Sequence, residues 1–128
     1  MSKSDSGLFV GTAGARITRD SISAHREKFL DKTVGQINKM LQKRGYETTI
    51  RKSKFSTSRA KVIVVGNSSK ERNITQVQVS PGSKRHGAVP YVKISTNDIG
   101  IQKIIDAKPS EYKTDGTEKA TLLFRRYY

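Results

Sequence analysis

Few side chains in this sequence can do chemistry, and the scarcity narrows the options. It has no Cys and only two His, which excludes thiolate nucleophiles, disulfides and thiolate metal sites. His86 is the better placed histidine, in Gly82-Ser83-Lys84-Arg85-His86-Gly87 just ahead of a strand-like run. Neighbouring cations favour the neutral imidazole that a general base needs. The flanking glycines let a phosphate approach the backbone. Tyr91, Lys93 and Ser95 then alternate along one side of the run. Lys93 suits the charge of a pentacoordinate phosphorane, and Tyr91 suits stacking on a base. Near the C-terminus, Arg125 offers a bidentate grip on a phosphate and Thr121 a hydrogen bond to it, with Arg126 as a further cation. The expected catalytic set is His86, Lys93, Thr121 and Arg125. Tyr91, Ser95, Lys84, Arg85, Arg51, Lys52, Lys54 and Arg126 are the expected substrate contacts. Such residues fit cleavage of RNA by its own 2′-hydroxyl, which needs a base, an acid and cations.

Other groupings are weaker. His25, beside Arg26, reads as a surface helix residue. Asp106 with Glu111-Tyr112-Lys113 loosely resembles a metal-dependent nuclease pattern, but it follows Pro109 in turn-like sequence rather than lying on a strand. Ser56-Thr57-Ser58 reads as a polar loop. Neither a phosphate-cradling glycine loop nor a dinucleotide fingerprint is present. The 11 carboxylates are scattered, with no cluster suited to hard cations. Neither a metal nor another cofactor is therefore expected.

Charge points to the partner. Lys and Arg total 25 in 128 residues, for a formal charge of +14. Basic surface of this kind converts into salt-dependent affinity for a polyanion. The cations run along the whole chain, most densely from Lys43 to Lys61, rather than in the terminal cluster or amphipathic helix that membrane binding calls for. No apolar run is long enough to span a bilayer, and Met1-Ser-Lys-Ser-Asp-Ser is unlike a signal peptide. The expected partner is RNA, without membrane insertion.

The elements that must position these residues follow from periodicity. Residues 1–20 read as a linker or loosely docked arm, leaving one domain over 21–128. From Ser23 to Arg44, Leu30, Val34, Ile37 and Leu41 form one apolar helical face. Ser23 is the expected N-cap, and Gly45 the residue that ends the helix. Beyond it the period becomes two. Strands are expected at Glu47–Lys52, Lys61–Val65, Asn73–Ser80, Val89–Thr96, Ile101–Asp106 and Ala120–Arg126. The separating turns are expected at Gly66–Ser69, Pro81–Ser83, Asn97–Gly100 and Lys113–Gly116. A helix followed by strands reads as α+β. In the expected architecture, an N-terminal helix packs on one face of a twisted antiparallel β-sheet. The other face stays open, with Tyr91, Lys93, Gln76, Gln78, Thr121 and Arg125 on it.

One resemblance joins these pieces. His86-Gly-Ala-Val-Pro-Tyr-Val-Lys-Ile-Ser-Thr, Lys103-Ile-Ile-Asp, Glu111-Tyr-Lys and Ala120-Thr-Leu-Leu-Phe-Arg-Arg resemble the C-terminal nuclease toxin domains of contact-dependent growth inhibition and other polymorphic toxin systems. The likeness covers about residues 20–128 and is one of layout, toward the barnase–EndoU–colicin–RelE group of ribonucleases. It implies a metal-independent antibacterial endoribonuclease, acting most often on tRNA and neutralised by a cognate immunity protein, which for so basic a chain would be acidic. It also implies a carrier, a secreted or cell-surface bacterial effector whose C-terminal part acts in the target-cell cytoplasm. Two readings of other classes stand beside it: a non-enzymatic basic RNA-binding or ribosome-associated protein, and a metal-dependent nuclease toxin.

Overall fold

The helical periodicity after residue 18 is divided among three short helices in the computed structural model, which describes residues 7–53, 59–82, 89–112 and 119–127. They are α1 (Arg19–Ala24), α2 (Arg26–Leu30) and α3 (Val34–Lys43). The single helix expected from Ser23 is corrected by two capping boxes. Thr18 exchanges hydrogen bonds with Ser21, and Thr33 with Gln36. Each box satisfies backbone N–H groups at a helix start, so each fixes a new beginning. Gly45, at φ +89°, ends α3 as expected. Its N–H donates to the Gln42 carbonyl and that of Tyr46 to Leu41, a pairing that needs the left-handed conformation glycine adopts cheaply.

All six expected strands form, within one or two residues of their expected ends: β1 (Thr48–Lys52), β2 (Lys61–Val65), β3 (Ile74–Ser80), β4 (Tyr91–Thr96), β5 (Ile101–Ile105) and β6 (Thr121–Phe124). They lie in the order β1-β2-β3-β4-β5-β6. The first five pair antiparallel, while β6 runs parallel to β5. The sheet is therefore mixed rather than purely antiparallel, and the class is α+β. A bulge between Ile74 and Gln76 breaks strict alternation, so that Ile74 and Val77 are both buried in the core.

Ile63, Val77, Val92, Ile94 and Ile104 pack against Phe29, Ile37, Met40 and Leu41 of the helices. Leu8, Phe9, Ala15 and Ile17 join the same core. Residues 7–18 are thus built into the fold and are not the expected arm. Their attachment is polar as well as apolar. Asn73, fully buried, accepts a hydrogen bond from the Ile17 N–H at 2.9 Å and donates to the Ile17 carbonyl at 2.9 Å. It also donates to Asp98 at 3.0 Å, and Asp98 pairs with Arg16. The Tyr46 hydroxyl donates to the Ala15 carbonyl.

Asn73→Leu keeps the volume but strands the Ile17 backbone groups in the core. An unsatisfied buried group costs about 1–3 kcal/mol, so urea unfolding should show a loss of that size for each. Acid should also unfold the chain. Burial alone would raise the Glu27 and Asp98 carboxyls. Hydrogen bonds from Arg126 to Glu27, and from Asn73 and Arg16 to Asp98, outweigh it and hold both below their ordinary values. Partial burial, with Lys28 and Arg126 nearby, lowers the His25 imidazole below 6.5. All three folded-state values are depressed, so each contribution is complete above the unfolded value and lost as pH falls through the folded one. Melting temperature should fall first below about pH 6.5, a step His25→Gln removes, and again in the carboxylate range.

Candidate nucleic-acid interface

Pleating assigns every strand residue to the helix-covered face or to the opposite one, and strand register carries the assignment across the sheet. Val92 and Ile94 lie in the core, so Tyr91, Lys93 and Ser95 take the opposite face, as expected. Register adds Gln76, Gln78 and Ser80 of β3, and Ile101, Lys103 and Ile105 of β5. Arg51, opposite Val62, stands on this face near the β1 edge and is exposed.

The centre of the face is a cluster of tyrosines and lysines. Lys93 sits directly across from Lys103 on β5 and from Gln78 on β3. The Lys103 ammonium lies 4.4 Å from the Tyr91 ring centroid and 5.1 Å from that of Tyr112. It donates a 2.8 Å hydrogen bond to the Tyr112 hydroxyl. Gln78 donates to the Tyr91 hydroxyl at 3.1 Å, fixing that ring's tilt. Tyr112 follows a short 3-10 turn at Pro109–Glu111 and packs edge-on against Phe124 of β6, at a centroid distance of 6.0 Å. Sequence reasoning placed Tyr91, Lys93 and Gln78 on this face but did not name Lys103 or Tyr112 as site residues. The alternation of Ile101-Gln102-Lys103-Ile104 carried the signal for Lys103; no local pattern marked Tyr112, which arrives by tertiary packing.

Four expected members of the site are elsewhere. β6 pairs parallel to β5 with Lys103 opposite Leu122 and Ile104 opposite Leu123. Thr121, Leu123 and Arg125 consequently belong to the helix-facing side, and Leu123 packs on the core. Leu122 and Phe124 take the Lys103 side instead. Arg125 is bound by Asp106 at 2.5 Å and Asp31 at 2.6 Å. These hydrogen bonds raise its already high pKa further, and the guanidinium serves as a clamp between β6, the end of β5 and the end of α2. Arg126 also acts structurally, donating to Glu27 and to the Ala24 carbonyl at 3.0 Å. Lys52 lies opposite Lys61 on the helix-facing side of β1, away from the tyrosine cluster. His86, Lys84, Arg85 and Lys54 lie outside the described residues, as do Ser56-Thr57-Ser58 and the Lys113–Gly116 turn.

The arrangement can bind a phosphodiester. Like charges directly opposite one another across a strand pair repel, and a phosphate between Lys93 and Lys103 converts that repulsion into attraction. The tyrosine rings supply flat apolar surface beside the cations. The Tyr112 hydroxyl accepts a hydrogen bond from Lys103 within this cluster. Among the described residues, no three His, Asp or Glu side chains come together as a metal-ligand set, and no helix is long and apolar enough to cross a membrane. Comparison with family models, curated proteins and solved structures finds no match to this chain.

Arg125→Met tests its corrected role. Loss of charged hydrogen bonds should lower stability by about 1–3 kcal/mol in urea unfolding. Any RNA affinity measured on the folded variant should stay close to that of the parent.

Proposed function

We propose that the chain is an endoribonuclease that cleaves RNA by attack of the 2′-hydroxyl on the adjacent phosphate, leaving a 2′,3′-cyclic phosphate and a free 5′-hydroxyl. The observation that carries this reading is the Lys93–Lys103 pair on a sheet face shared with Tyr91 and Tyr112. In the proposed reaction, the two ammonium groups hold the scissile phosphate and take up the charge that grows on it in the transition state. Tyr91 stacks on a neighbouring base. The Tyr112 hydroxyl is the candidate acid toward the leaving 5′-oxygen, and His86 is the candidate base that the sequence supplies. A helical layer on one side of the sheet and lysines on the other support this reading, which extends the barnase–EndoU–colicin–RelE resemblance. The biological reading that goes with it is a toxin domain acting on tRNA, held in check by an acidic immunity protein. Opposite charge would speed formation of such a complex.

The test is incubation with total tRNA, with and without EDTA, followed by analysis of the product termini. Cleavage that survives EDTA and ends in a 2′,3′-cyclic phosphate is expected; a 5′-phosphate product overturns the mechanism. Lys93→Ala and Lys103→Ala should each slow cleavage by about 10²-fold or more. Tyr112→Phe should slow it by ~10²–10⁴-fold if its proton is transferred.

A second reading, RNA binding without cleavage, is favoured by the cation packed between two aromatic rings, which also suits a stacking platform. Intact RNA bound tightly under both conditions would select it. Under either reading, tRNA affinity should fall steeply between low and physiological salt, because each phosphate contact releases counterions. Fluorescence anisotropy measures this directly, and salt-insensitive affinity would refute the electrostatic account.

A further inference from the structure

A cavity of about 330 Å³ opens on the helix-covered side of the sheet, at the end where β2 begins and β3 stops. Its walls are Val79 and Val92 on the sheet and Leu30 and Val34 at the α2–α3 corner. The break between those helices creates it: Leu30 and Val34 remain only partly buried, while Ile37 and Leu41 complete the core.

Three cations line this largely apolar space, Lys32, Arg59 and Lys61, together with Thr33, Ser80 and Asp106. Lys61 is the anomaly. Its register partner Val79 packs against the hydrophobic core, so this lysine, opposite Lys52 on β1, stands beside aliphatic residues on the helix-covered face. None of the three has an ion-pair partner among the described residues. The one lining carboxylate, Asp106, is engaged by Arg125. Lys61 is partly buried, and an anion in the cavity would give these cations the charged partner that the fold does not. Tyr91 also contributes to the lining, while its ring lies against Lys103 on the opposite face of the sheet.

We propose that this cavity binds one unstacked ribonucleotide, its base between the aliphatic walls and its phosphate on Lys61, Arg59 and Lys32. The inference rests on the RNA reading above and deepens it by giving that reading a base-selecting pocket. Apolar walls with a few convergent polar groups are the usual build of a small-ligand site, and this volume lies at the low end of the usual range of about 300–1,000 Å³. A flat base with an attached phosphate matches both parts of the lining, whereas an acidic peptide matches only the cations. RNA recognition commonly reads bases splayed out of single strands.

The test is an amide-resolved NMR titration of the full chain with each of the four ribonucleoside monophosphates, alongside the nucleosides, inorganic phosphate and a polyglutamate peptide. Saturable shifts at Lys61, Val79 and Val92 are expected for at least one nucleotide, with nucleoside or phosphate alone about tenfold weaker or more. Lys61→Met should weaken that nucleotide about tenfold, Lys61→Arg should restore it, and Lys61→Met should melt no lower than the parent. A melting temperature maintained in Lys61→Met shows that the fold is not the cause of lost binding. Shifts confined to Lys93 and Lys103, equal affinity in Lys61→Met, or equal shifts from polyglutamate would each overturn the proposal. RNA cleavage with a silent cavity defeats the pocket and leaves the RNA reading standing. Nucleotide binding in the cavity without RNA binding or cleavage defeats the RNA reading and leaves a nucleotide site.

Discussion

The Asn73 amide holds two parts of the chain that have no strand ladder between them. A carboxamide presents one acceptor and one donor side by side, much as a peptide group does. Here it takes both backbone groups of Ile17. Its second N–H reaches Asp98, which in turn pairs with Arg16. The contact is buried, so competing water is excluded and the geometry is enforced. Through it Leu8, Phe9, Ala15 and Ile17 close the part of the core that three short helices leave uncovered. With that side sealed, the tyrosine–lysine cluster lies on the opposite face of the sheet.

The basic residues divide by chemistry. Arg16, Arg125 and Arg126 bind carboxylates, and Arg26 donates to the Phe124 carbonyl at 2.7 Å. A planar guanidinium offers several directed donors at once, which suits tying together the ends of several elements. Lys32, Lys61 and Lys93, with Arg59, have no carboxylate partner among the described residues. Arg16, Arg125 and Arg126, three of the 25 cations, are therefore neutralised by carboxylates within the fold. Lys93 and Lys103 lie on the tyrosine–lysine face, and Lys32, Arg59 and Lys61 line the cavity on the other side of the sheet.

The direction of β6 decides which residues belong to which site. The first five strands follow one another through antiparallel neighbours, but a segment from Asp106 to Ala120, including the Pro109–Glu111 turn, carries the chain back to the start of β5. β6 then pairs parallel. Parallel register brings Leu123 to the core and Arg125 to Asp106 and Asp31. It also puts Phe124 beneath Tyr112, and Tyr112 beside Lys103. The register of β6 thus takes Arg125 off the tyrosine–lysine face and sets Phe124 against Tyr112.

Local chemistry in the sequence determined much of this protein. Alternation marked six strands, Gly45 marked the end of α3, and the period-two pattern of Tyr91-Val92-Lys93-Ile94-Ser95 put Tyr91 and Lys93 on the face away from the core. These signals are local because pleat and helix period are properties of neighbouring residues. The capping pairs Thr18–Ser21 and Thr33–Gln36 were equally local, yet the longer hydrophobic period masked them. Other features had no local signal. The docking of residues 7–18 depends on Asn73, 56 positions away from Ile17, and the loss of Arg125 from the site depends on partners at Asp31 and Asp106. Strand direction at β6, the Lys103–Tyr112 contact and the lysine facing the cavity are also set by long-range packing. A sequence pattern states which residues share a side of an element, but only tertiary structure decides what that side meets.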